Sequence, residues 1–314
     1  MPHIVTLTLN PAVDLATSVD RMEPVRKLRC TAGRRDPGGG GINVARVVKR
    51  LGAEVTAVYP AGGYAGGWLE RLIDAEGVNS FAVPIRGETR EDVTVFEEAS
   101  GQQYRFVMPG PRLEAGEWAA CLQAVATLGP GSDFVCASGS LPPGVPDDVY
   151  AQLAGRVAGW GARLALDTSG AALKAALAGR VYLIKPSLGE MRELTGAPLD
   201  DAASRVRACR DLVERGQVEI VALSLGAEGA MLVSADGAWA APALDIVPVS
   251  TVGAGDSFLG AMVWALASGE ALLDAFRYAV AGGSAALVAP GTELCLAEDV
   301  NRLIDQVRLQ PLAA

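Results

Sequence analysis

The sequence has 314 residues, half of them hydrophobic and a fifth charged, which is typical of a compact globular protein and excludes a largely disordered chain. This length accommodates one large α/β domain or two smaller domains. The formal net charge of −9 argues against a nucleic-acid-binding or anionic-membrane surface, because both need concentrated positive charge, so an anionic substrate must meet a local basic cluster.

Short β-rich segments alternate with helical segments from residue 3 to residue 240. Strands are predicted at residues 3–9, 54–60, 133–138, 162–167, 181–186 and 218–224, and helices at residues 42–51 and 66–76. Since strands that recur with helices between them need crossover connections, the pattern predicts a parallel sheet covered on both faces, an α/β/α sandwich. Beyond residue 254 apolar residues recur at helical spacing in 258–268, 271–288 and 297–308.

Two stretches interrupt this alternation, roughly residues 14–35 and 88–107. The second alternates polar and apolar residues around a turn at Ser100 and Gly101, which is typical of a hairpin. We predict that the two stretches form a small antiparallel sheet. Because each piece is too short to bury its own core, it must cover the main sheet or pair with another copy of the chain. We therefore interpret residues 1–314 as one domain with a lid that also serves as a dimer contact.

The segment TVGAGDSF at residues 251–258 is the strongest local signal, because a turn of small residues here opens an apolar helix. Gly253, Ala254 and Gly255 allow backbone N–H groups to converge, and a helix N-terminus adds about half a positive charge. They are candidates for an anion hole, and Asp256 at its mouth is a candidate general base for an attacking hydroxyl group. The alternative is that Asp256 only caps the helix.

Four successive glycines at residues 38–41 also lead directly into a helix. Gly39 and Gly40 would allow a ligand to approach main-chain N–H groups closely, and Asn43 adds an amide that can bond to a hydroxyl group, which suits a polyhydroxy substrate. The alternative is a flexible loop without function. A Walker A loop is excluded because no Lys-Ser or Lys-Thr follows at the required spacing.

A third glycine-containing turn follows the strand predicted at residues 218–224. Ser224, Gly226 and Gly229 lie where ligands gather in an open α/β sheet, at the carboxyl end of a strand, and could contact a nucleotide. The alternative is a β-turn between two strands.

Charged residues near the predicted lid could recognise a phosphorylated sugar. Asp14 follows the first strand, where its carboxylate could accept hydrogen bonds from two sugar hydroxyl groups. Lys27, Arg29 and Arg90 fall in the two lid stretches and could form the basic cluster that an acidic protein needs for a sugar phosphate. The alternative for each is an ordinary solvated surface charge.

The five cysteines are scattered and contain no Cys-x-x-Cys or metal-ligand spacing, which favours reduced thiols. The N-terminal segment lacks a basic stretch followed by a long apolar one, and no apolar run reaches the length of about 20 residues that spans a bilayer. We expect a cytoplasmic protein.

Taken together, these motifs resemble the ribokinase/PfkB family of carbohydrate kinases over nearly the whole chain. The resemblance rests on residues 38–45, GGGGINVA, and residues 250–257, STVGAGDS, a pair that is highly specific in this order. It implies a ribokinase-like three-layer sandwich with a small β-sheet lid, ATP and Mg²⁺ as cofactors, and Asp256 as the general base.

Within the family the chain is most similar to the phosphosugar branch, in particular to the PfkB-type (minor) 6-phosphofructokinases. The supporting segments are residues 27–32, 103–110 and 138–144. This likeness implies phosphorylation of fructose 6-phosphate to fructose 1,6-bisphosphate and a homodimer joined through the lid.

The same resemblance implies roles for individual residues. On the sugar side they are Asp14, Gly39, Gly40, Asn43 and Ser140, with Lys27, Arg29 and Arg90 on the sugar's phosphate. On the ATP side they are Lys185, Ser187, Ser224, Gly226 and Gly229. Glu190 would position Mg²⁺ through water. A monovalent cation such as K⁺ would be held by carbonyl groups near Ser250, Val252, Ala289 and Gly291.

The sequence departs from the family pattern at three positions. Ser187 stands where the family's Asn-x-x-Glu motif has Asn, Gly189 replaces a Lys, and Glu293 replaces a basic residue. Because serine reaches less far than asparagine, the affinity for Mg²⁺ is not carried over from the family, nor is regulation by a second nucleotide.

Other functions remain as alternatives. The opening Thr-Leu-Asn-Pro-Ala-x-Asp of residues 8–14 is shared with 1-phosphofructokinases and tagatose-6-phosphate kinases, which differ only in the acceptor sugar. A non-catalytic sugar-binding module is a more distant alternative. An NAD-dependent oxidoreductase would need a spaced glycine fingerprint after the first strand, where Asn10 and Pro11 stand instead.

Overall fold

The computed structural model describes residues 1–289 and 293–312, and these form a ten-stranded sheet, a four-stranded sheet and flanking helices. The strands of the large sheet are β1 (His3–Leu7), β4 (Glu54–Ala61), β5 (Asn79–Pro84), β8 (Phe134–Ser138), β9 (Arg163–Asp167), β10 (Val181–Ile184), β11 (Val218–Ser224), β12 (Ala230–Ser234), β13 (Gly237–Ala241) and β14 (Gln310–Pro311). Those of the small sheet are β2 (Ala12–Val19), β3 (Arg34–Gly38), β6 (Arg90–Glu97) and β7 (Gln102–Phe106). The α-helices are α1 (Gly40–Arg50), α2 (Gly63–Ala75), α3 (Ala115–Leu128), α4 (Val149–Val157), α5 (Gly170–Ala176), α6 (Leu188–Thr195), α7 (Ala202–Glu214), α8 (Ala254–Ala267), α9 (Leu272–Leu287) and α10 (Ala297–Ile304).

The large sheet has the strand order β14-β13-β12-β11-β10-β9-β8-β1-β4-β5. The strands from β11 to β5 are parallel, as the alternation of strands and helices predicts. The remaining three strands are antiparallel and form one edge. They depart from the prediction because the short turn at residues 225–229 joins β11 directly to β12, and such a turn permits only antiparallel pairing.

Helices cover both faces of the large sheet and enclose two hydrophobic cores. The core on one face includes residues of α1, α2, α8, α9 and α10, and the core on the other includes residues of α3, α4, α5, α6 and α7. All five residues of β8 are buried, as expected for a parallel strand covered on both sides. The three-layer sandwich is therefore confirmed. None of the described helices is both long enough and apolar enough to span a bilayer.

The four-stranded sheet, which we call the lid, has the order β3-β2-β6-β7. The hairpin of β6 and β7 turns at residues 98–101, where the sequence predicts it. The prediction of a purely antiparallel lid was wrong, because the central strands β2 and β6 are parallel. They pair in this direction because the chain passes through β3, α1, β4, α2 and β5 between them and returns to the same side.

The lid begins at the carboxyl end of β1. β2 starts at Ala12, five residues after β1 ends at Leu7, and β3 leads directly into α1 through the glycine run. β1 lies between β8 and β4, so the chain crosses over in opposite directions on its two sides. Ligands bind at such a switch point in open α/β sheets, and the lid lies beside it.

Candidate active site

A polar cleft of about 290 Å³ lies between the lid and the carboxyl ends of the parallel strands. Of the residues predicted for the site, it is lined by Asp14, Gly39, Gly40, Asn43, Arg90, Ser140, Glu190, Val252, Gly253 and Asp256. It is also lined by Asp92, Arg105, Val107, Ser138, Gly139, Asp167, Thr168 and Ser169, which the sequence did not single out as site residues.

Asp256 lies in the first turn of α8, at the base of this cleft. The N-cap residue of this helix is Gly253, which has a φ of 75°. A Cβ at Gly253 would overlap the side chain of Leu294, so both backbone conformation and space call for glycine here. Asn43 Nδ2 donates a hydrogen bond to Asp256 Oδ2 at 2.9 Å. This carboxylate is therefore held by α1 and faces the cleft. The N-cap position of α8 is occupied by Gly253 and not by Asp256.

The surroundings of Asp256 favour its action as a proton acceptor. Burial raises the pKa of its carboxyl group, while the hydrogen bond from Asn43 and the charge of Lys185 lower it in part. A carboxylate with a raised pKa binds a proton more strongly than an exposed aspartate does, which suits a general base.

Lys185 brings a buried positive charge to the same helix end. Its side chain is 6% exposed, and Nζ lies 3.2 Å from Asp167 Oδ2. A Cβ built on Gly255 would stand 3.4 Å from this Nζ, so the ammonium group lies beside the first turn of α8. Burial lowers the pKa of Lys185, but the charges of Asp167 and Glu190 outweigh it and the net pKa is raised. Lys185 therefore stays protonated.

Asp167, at the carboxyl end of β9, is a buried partner that sequence reasoning missed. Burial raises its pKa to about 7, an effect that Lys185 opposes and Asp256 adds to. Its position at the end of a predicted parallel strand was the available signal, since such ends gather ligands.

A second cleft, of about 600 Å³, lies on the other side of the turn that opens α8. Its walls are mostly apolar, and they include Leu244, Ile246, Phe258, Val280 and Leu287. Ala254 and Gly255 line this cleft, whereas Val252, Gly253 and Asp256 line the polar one. A single turn with free helix N–H groups thus separates the two clefts, so that a group transferred from one to the other must pass it.

The third glycine-containing turn fits both of the interpretations offered for it. It joins the antiparallel strands β11 and β12, and Ser224, Gly226 and Gly229 also line the apolar cleft. Gly229 has a φ of 101°, and a Cβ there would overlap the backbone carbonyl of Ala241. The turn therefore needs glycine for its conformation and presents its backbone to the cleft.

The glycine run at residues 38–41 packs tightly against the end of β8. A Cβ on Gly40 would lie 2.9 Å from the carbonyl carbon of Ser138 and 3.0 Å from the backbone nitrogen of Gly139. Gly39 has a φ of 105°. The run is therefore a fixed turn that positions α1 and Asn43, and not a flexible loop.

Asp14 lies on β2, facing the polar cleft. Burial and the charge of Asp92 raise its pKa to about 7, while Arg105 and Arg90 lower it in part. Ser140 lies nearby and accepts a hydrogen bond from Asn10 Nδ2 at 3.1 Å.

The predicted basic cluster is only partly brought together in this chain. Arg90 lines the polar cleft, whereas Lys27 and Arg29 are exposed on the connection between β2 and β3 and do not line it. Arg105 on β7 lines the cleft instead. Sequence reasoning placed Arg105 only within a family-like segment, because one arginine in a hairpin strand carries no local signal. The roles of Lys27 and Arg29 stay predictions.

Ser187 and Glu190 cap α6 reciprocally. Ser187 Oγ accepts a hydrogen bond from the Glu190 N–H at 3.2 Å, and Glu190 Oε2 accepts one from the Ser187 N–H at 2.7 Å. The serine that replaces the family's asparagine is therefore a good N-cap, and Glu190 also lines the polar cleft.

The residues predicted to hold a monovalent cation lie near the start of α8. The N–H groups of Val249 and Ser250 both donate to the carbonyl of Leu287, which ties the segment before α8 to the end of α9 close to Ala289. Gly291 lies outside the described residues. Within the described ranges no cluster of three or more His, Cys, Asp or Glu residues is arranged to bind a metal ion.

Comparison with known proteins gives consistent matches. The model of the pfkB family of carbohydrate kinases matches residues 7–299. The chain is 43% identical over 304 residues to the ATP-dependent 6-phosphofructokinase isozyme 2 of Mycobacterium tuberculosis, covering 97% of this chain and 89% of that protein. It is 35% identical over 266 residues to the 1-phosphofructokinase of Xanthomonas campestris, covering 83% of each.

The chain is also similar to solved structures. The crystal structure of phosphofructokinase-2 from Escherichia coli in complex with potassium has a TM-score of 0.93 and 40% identity, covering 98% of this chain and 99% of that one. The same E. coli protein is also known in a tetrameric inhibited form, with a TM-score of 0.92, 40% identity and the same coverage.

Proposed function

Because the chain belongs to the pfkB family of carbohydrate kinases, we propose that it transfers the γ-phosphoryl group of ATP to the 1-hydroxyl group of fructose 6-phosphate. The products are fructose 1,6-bisphosphate and ADP. The proposal agrees with the activity named for the M. tuberculosis relative.

The observation that carries the proposal is the single turn between the two clefts, with Asp256 on its polar side. Phosphoryl transfer needs the donor and the acceptor hydroxyl in line, with little covalent chemistry from the protein. Two clefts that meet at a helix N-terminus offer this arrangement. The nucleotide would occupy the apolar cleft and the sugar the polar one.

Asp256 would take the proton of the attacking hydroxyl group, and Asn43 would keep its carboxylate oriented toward that group. The free N–H groups of the first turn of α8 would hold the negative charge that develops on the transferred phosphoryl group. Lys185 beside this turn adds a buried positive charge that is not screened by solvent.

The sugar would lie against Asp14, the glycine run and Ser140, with its phosphate directed to Arg90. Arg105 is added to the phosphate-binding residues because it lines the same cleft. Lys27 and Arg29 do not line the cleft of their own chain. They are retained as candidates that would contact a phosphate bound to a second copy of the chain.

Glu190 and Asp167 offer carboxylate oxygens in the polar cleft, the ligand type that Mg²⁺ prefers. A Mg²⁺ ion held there would neutralise part of the negative charge of the ATP phosphates. We propose a K⁺ site at the carbonyl groups of Ser250, Val252 and Ala289, supported by the potassium complex of the E. coli relative.

A homodimer through the lid is supported by its outer edge. β7 is an edge strand, and the residues at its end, Phe106, Val107 and Met108, are apolar and 44–58% exposed. An edge strand that is followed by exposed apolar side chains favours pairing with another chain. The E. coli relative is known in a tetrameric inhibited form. For this chain we propose a dimer, on the evidence of the lid edge. A cytoplasmic location stays a prediction.

The test is ADP release measured side by side with fructose 6-phosphate, fructose 1-phosphate and tagatose 6-phosphate. We expect the highest kcat/KM with fructose 6-phosphate. Preference for fructose 1-phosphate would instead favour the activity of the X. campestris relative, and it would leave the roles of Asp256 and Lys185 intact.

A further inference from the structure

Asp92 places a second carboxylate in a cleft proposed to receive an anion. It lies on β6, in register with Asp14 on the neighbouring strand β2, and both side chains line the polar cleft. One carboxylate, that of Asp14, can accept hydrogen bonds from the sugar hydroxyl groups. A second one beside the phosphate-binding arginines would be expected to oppose a sugar phosphate, since like charges repel at short range.

Two contacts hold the carboxylate of Asp92. Its Oδ1 accepts a hydrogen bond from the Met108 N–H at 2.8 Å, and its Oδ2 lies 3.3 Å from Arg90 NH1. Arg90 NH1 also donates to the Met108 carbonyl at 2.9 Å, and NH2 donates to the Asn10 carbonyl at 3.1 Å. Arg90 is thus tied to both ends of the lid, and its charge is paired with Asp92.

Arg105 provides a contrast in the same cleft. Its side chain forms no hydrogen bond or salt bridge with any described residue, although its charge lowers the pKa of Asp14. Its guanidinium donors are therefore available to a ligand. The guanidinium of Arg90 has only its buried Nε without a hydrogen-bond partner. Of the two arginines, Arg90 is therefore the one whose charge is already balanced within the protein.

We propose that Asp92 is a specificity-determining residue that competes with the sugar's phosphate group for Arg90 and so weakens the binding of phosphorylated substrates. The inference rests on the proposed function, in which a sugar phosphate occupies this cleft. A dianionic phosphate at Arg90 would approach the Asp92 carboxylate and lose part of the attraction of the paired guanidinium. An unphosphorylated sugar would not meet this cost.

The substitution Asp92→Asn isolates the charge. Asparagine keeps an oxygen that can accept the hydrogen bond of the Met108 N–H, so the connection between β6 and the end of β7 is preserved. Its NH₂ group would face Arg90 as a second donor, which favours turning the guanidinium toward the cleft. Glu91→Gln is the matched control, because Glu91 is the preceding residue of β6, is exposed and does not line the cleft.

The experiment measures KM for fructose 6-phosphate and for unphosphorylated fructose by ADP release, with Kd from titration calorimetry for each variant. For Asp92→Asn we expect KM and Kd for fructose 6-phosphate to fall about fivefold, equivalent to about 1 kcal/mol of binding free energy. The constants for fructose should change less than about twofold, and Glu91→Gln should match the unsubstituted chain within the same margin.

An unchanged or increased Kd for fructose 6-phosphate in Asp92→Asn would overturn the inference, as would an equal gain for fructose. If another phosphosugar proves to be the substrate, the substrate assignment fails. The ratio of its Kd in Asp92→Asn to its Kd in the unsubstituted chain then still decides the role of Asp92. If no phosphosugar binds to either form, both the proposed function and this inference are wrong.

Discussion

Asn43 and Asp256 are separated by 213 residues and joined by a hydrogen bond of 2.9 Å between Nδ2 and Oδ2. On its other side, Asn43 Oδ1 accepts a hydrogen bond from Arg46 NH1 at 3.3 Å. Since a guanidinium group can only donate, Arg46 fixes which end of the Asn43 amide faces Asp256. Arg46 is fully buried and is itself held by Glu76 at 2.6 Å and by the carbonyl of Pro37.

The first prediction concerns the support that Arg46 gives to Asn43. Arg46→Met should lower the free energy of unfolding by about 3 kcal/mol, because it leaves the half-buried carboxylate of Glu76 with Arg50 alone. Urea unfolding at pH 7 measures the change. Arg71→Met, at an exposed position of α2, is the control and should change the stability by less than about 0.5 kcal/mol. Equal losses in the two variants would contradict a supporting role for Arg46.

Lys185 is predicted to act on the chemical step. Lys185→Met removes the positive charge beside the first turn of α8 and should reduce kcat by about 10²- to 10³-fold, as loss of one preorganised electrostatic group typically does. ADP release at saturating substrates gives kcat. Lys174→Met, an exposed lysine of α5, should leave kcat unchanged, and a loss of less than tenfold for Lys185→Met would show that its charge is not used in transfer.

Gly40 and Gly67 make a matched pair for the close packing of the glycine run. Gly40→Ala would force a methyl group against the Ser138 backbone and should raise KM for the sugar at least about tenfold while leaving KM for ATP near its original value. Gly67→Ala, where a Cβ meets no atom within 4 Å on α2, should instead stabilise the protein by about 0.5–1 kcal/mol. The readouts are initial rates and thermal unfolding. A Gly40→Ala enzyme with ordinary sugar affinity would disprove the tight turn.

The pH dependence of stability should report Asp14. Burial and Asp92 raise its folded-state pKa to about 7 from the ordinary 3.8, so between pH 4 and pH 7 the folded chain binds the proton more strongly than the unfolded chain. This contribution is fully present below about pH 4 and is lost as the pH rises through 7. Relative to the unsubstituted chain, Asp14→Asn should therefore gain about 2 kcal/mol in unfolding free energy between pH 5 and pH 8.

Urea unfolding at the two pH values measures this gain. Asp236→Asn, an exposed carboxylate in the turn between β12 and β13, should show no such difference. The absence of a gain in Asp14→Asn, or an equal gain in Asp236→Asn, would contradict the raised pKa of Asp14.

Local pattern was enough for six of the seven parallel strands of the main sheet and for the helix ends that carry chemistry. It did not predict β5 or the antiparallel strands β12, β13 and β14. The apolar runs of β8 and β11 are bounded by polar turns, so the predicted limits differ from the observed ones by at most one residue. α1 begins at Gly40, two residues before its prediction, because the fixed glycine turn allows Gly40 and Gly41 to join the helix.

Features that depend on distant pairing could not be read from local pattern. The parallel pairing of β2 with β6 is set by the intervening elements, and this register alone brings Asp92 beside Asp14. Asp92 and Arg105 are single charged residues in short strands, which are common on any surface. Lys27 and Arg29 were grouped with Arg90 because they share the lid, but the β2–β3 connection carries them away from the cleft.

The most direct test of the central claim is kcat for Asp256→Asn, with the binding of fructose 6-phosphate and ATP followed separately by calorimetry. If Asp256 is the general base, kcat should fall by about 10²- to 10⁴-fold while both ligands still bind, because asparagine keeps an oxygen near Asn43 but cannot take the proton. Retention of kcat within tenfold of the unsubstituted enzyme would contradict this account.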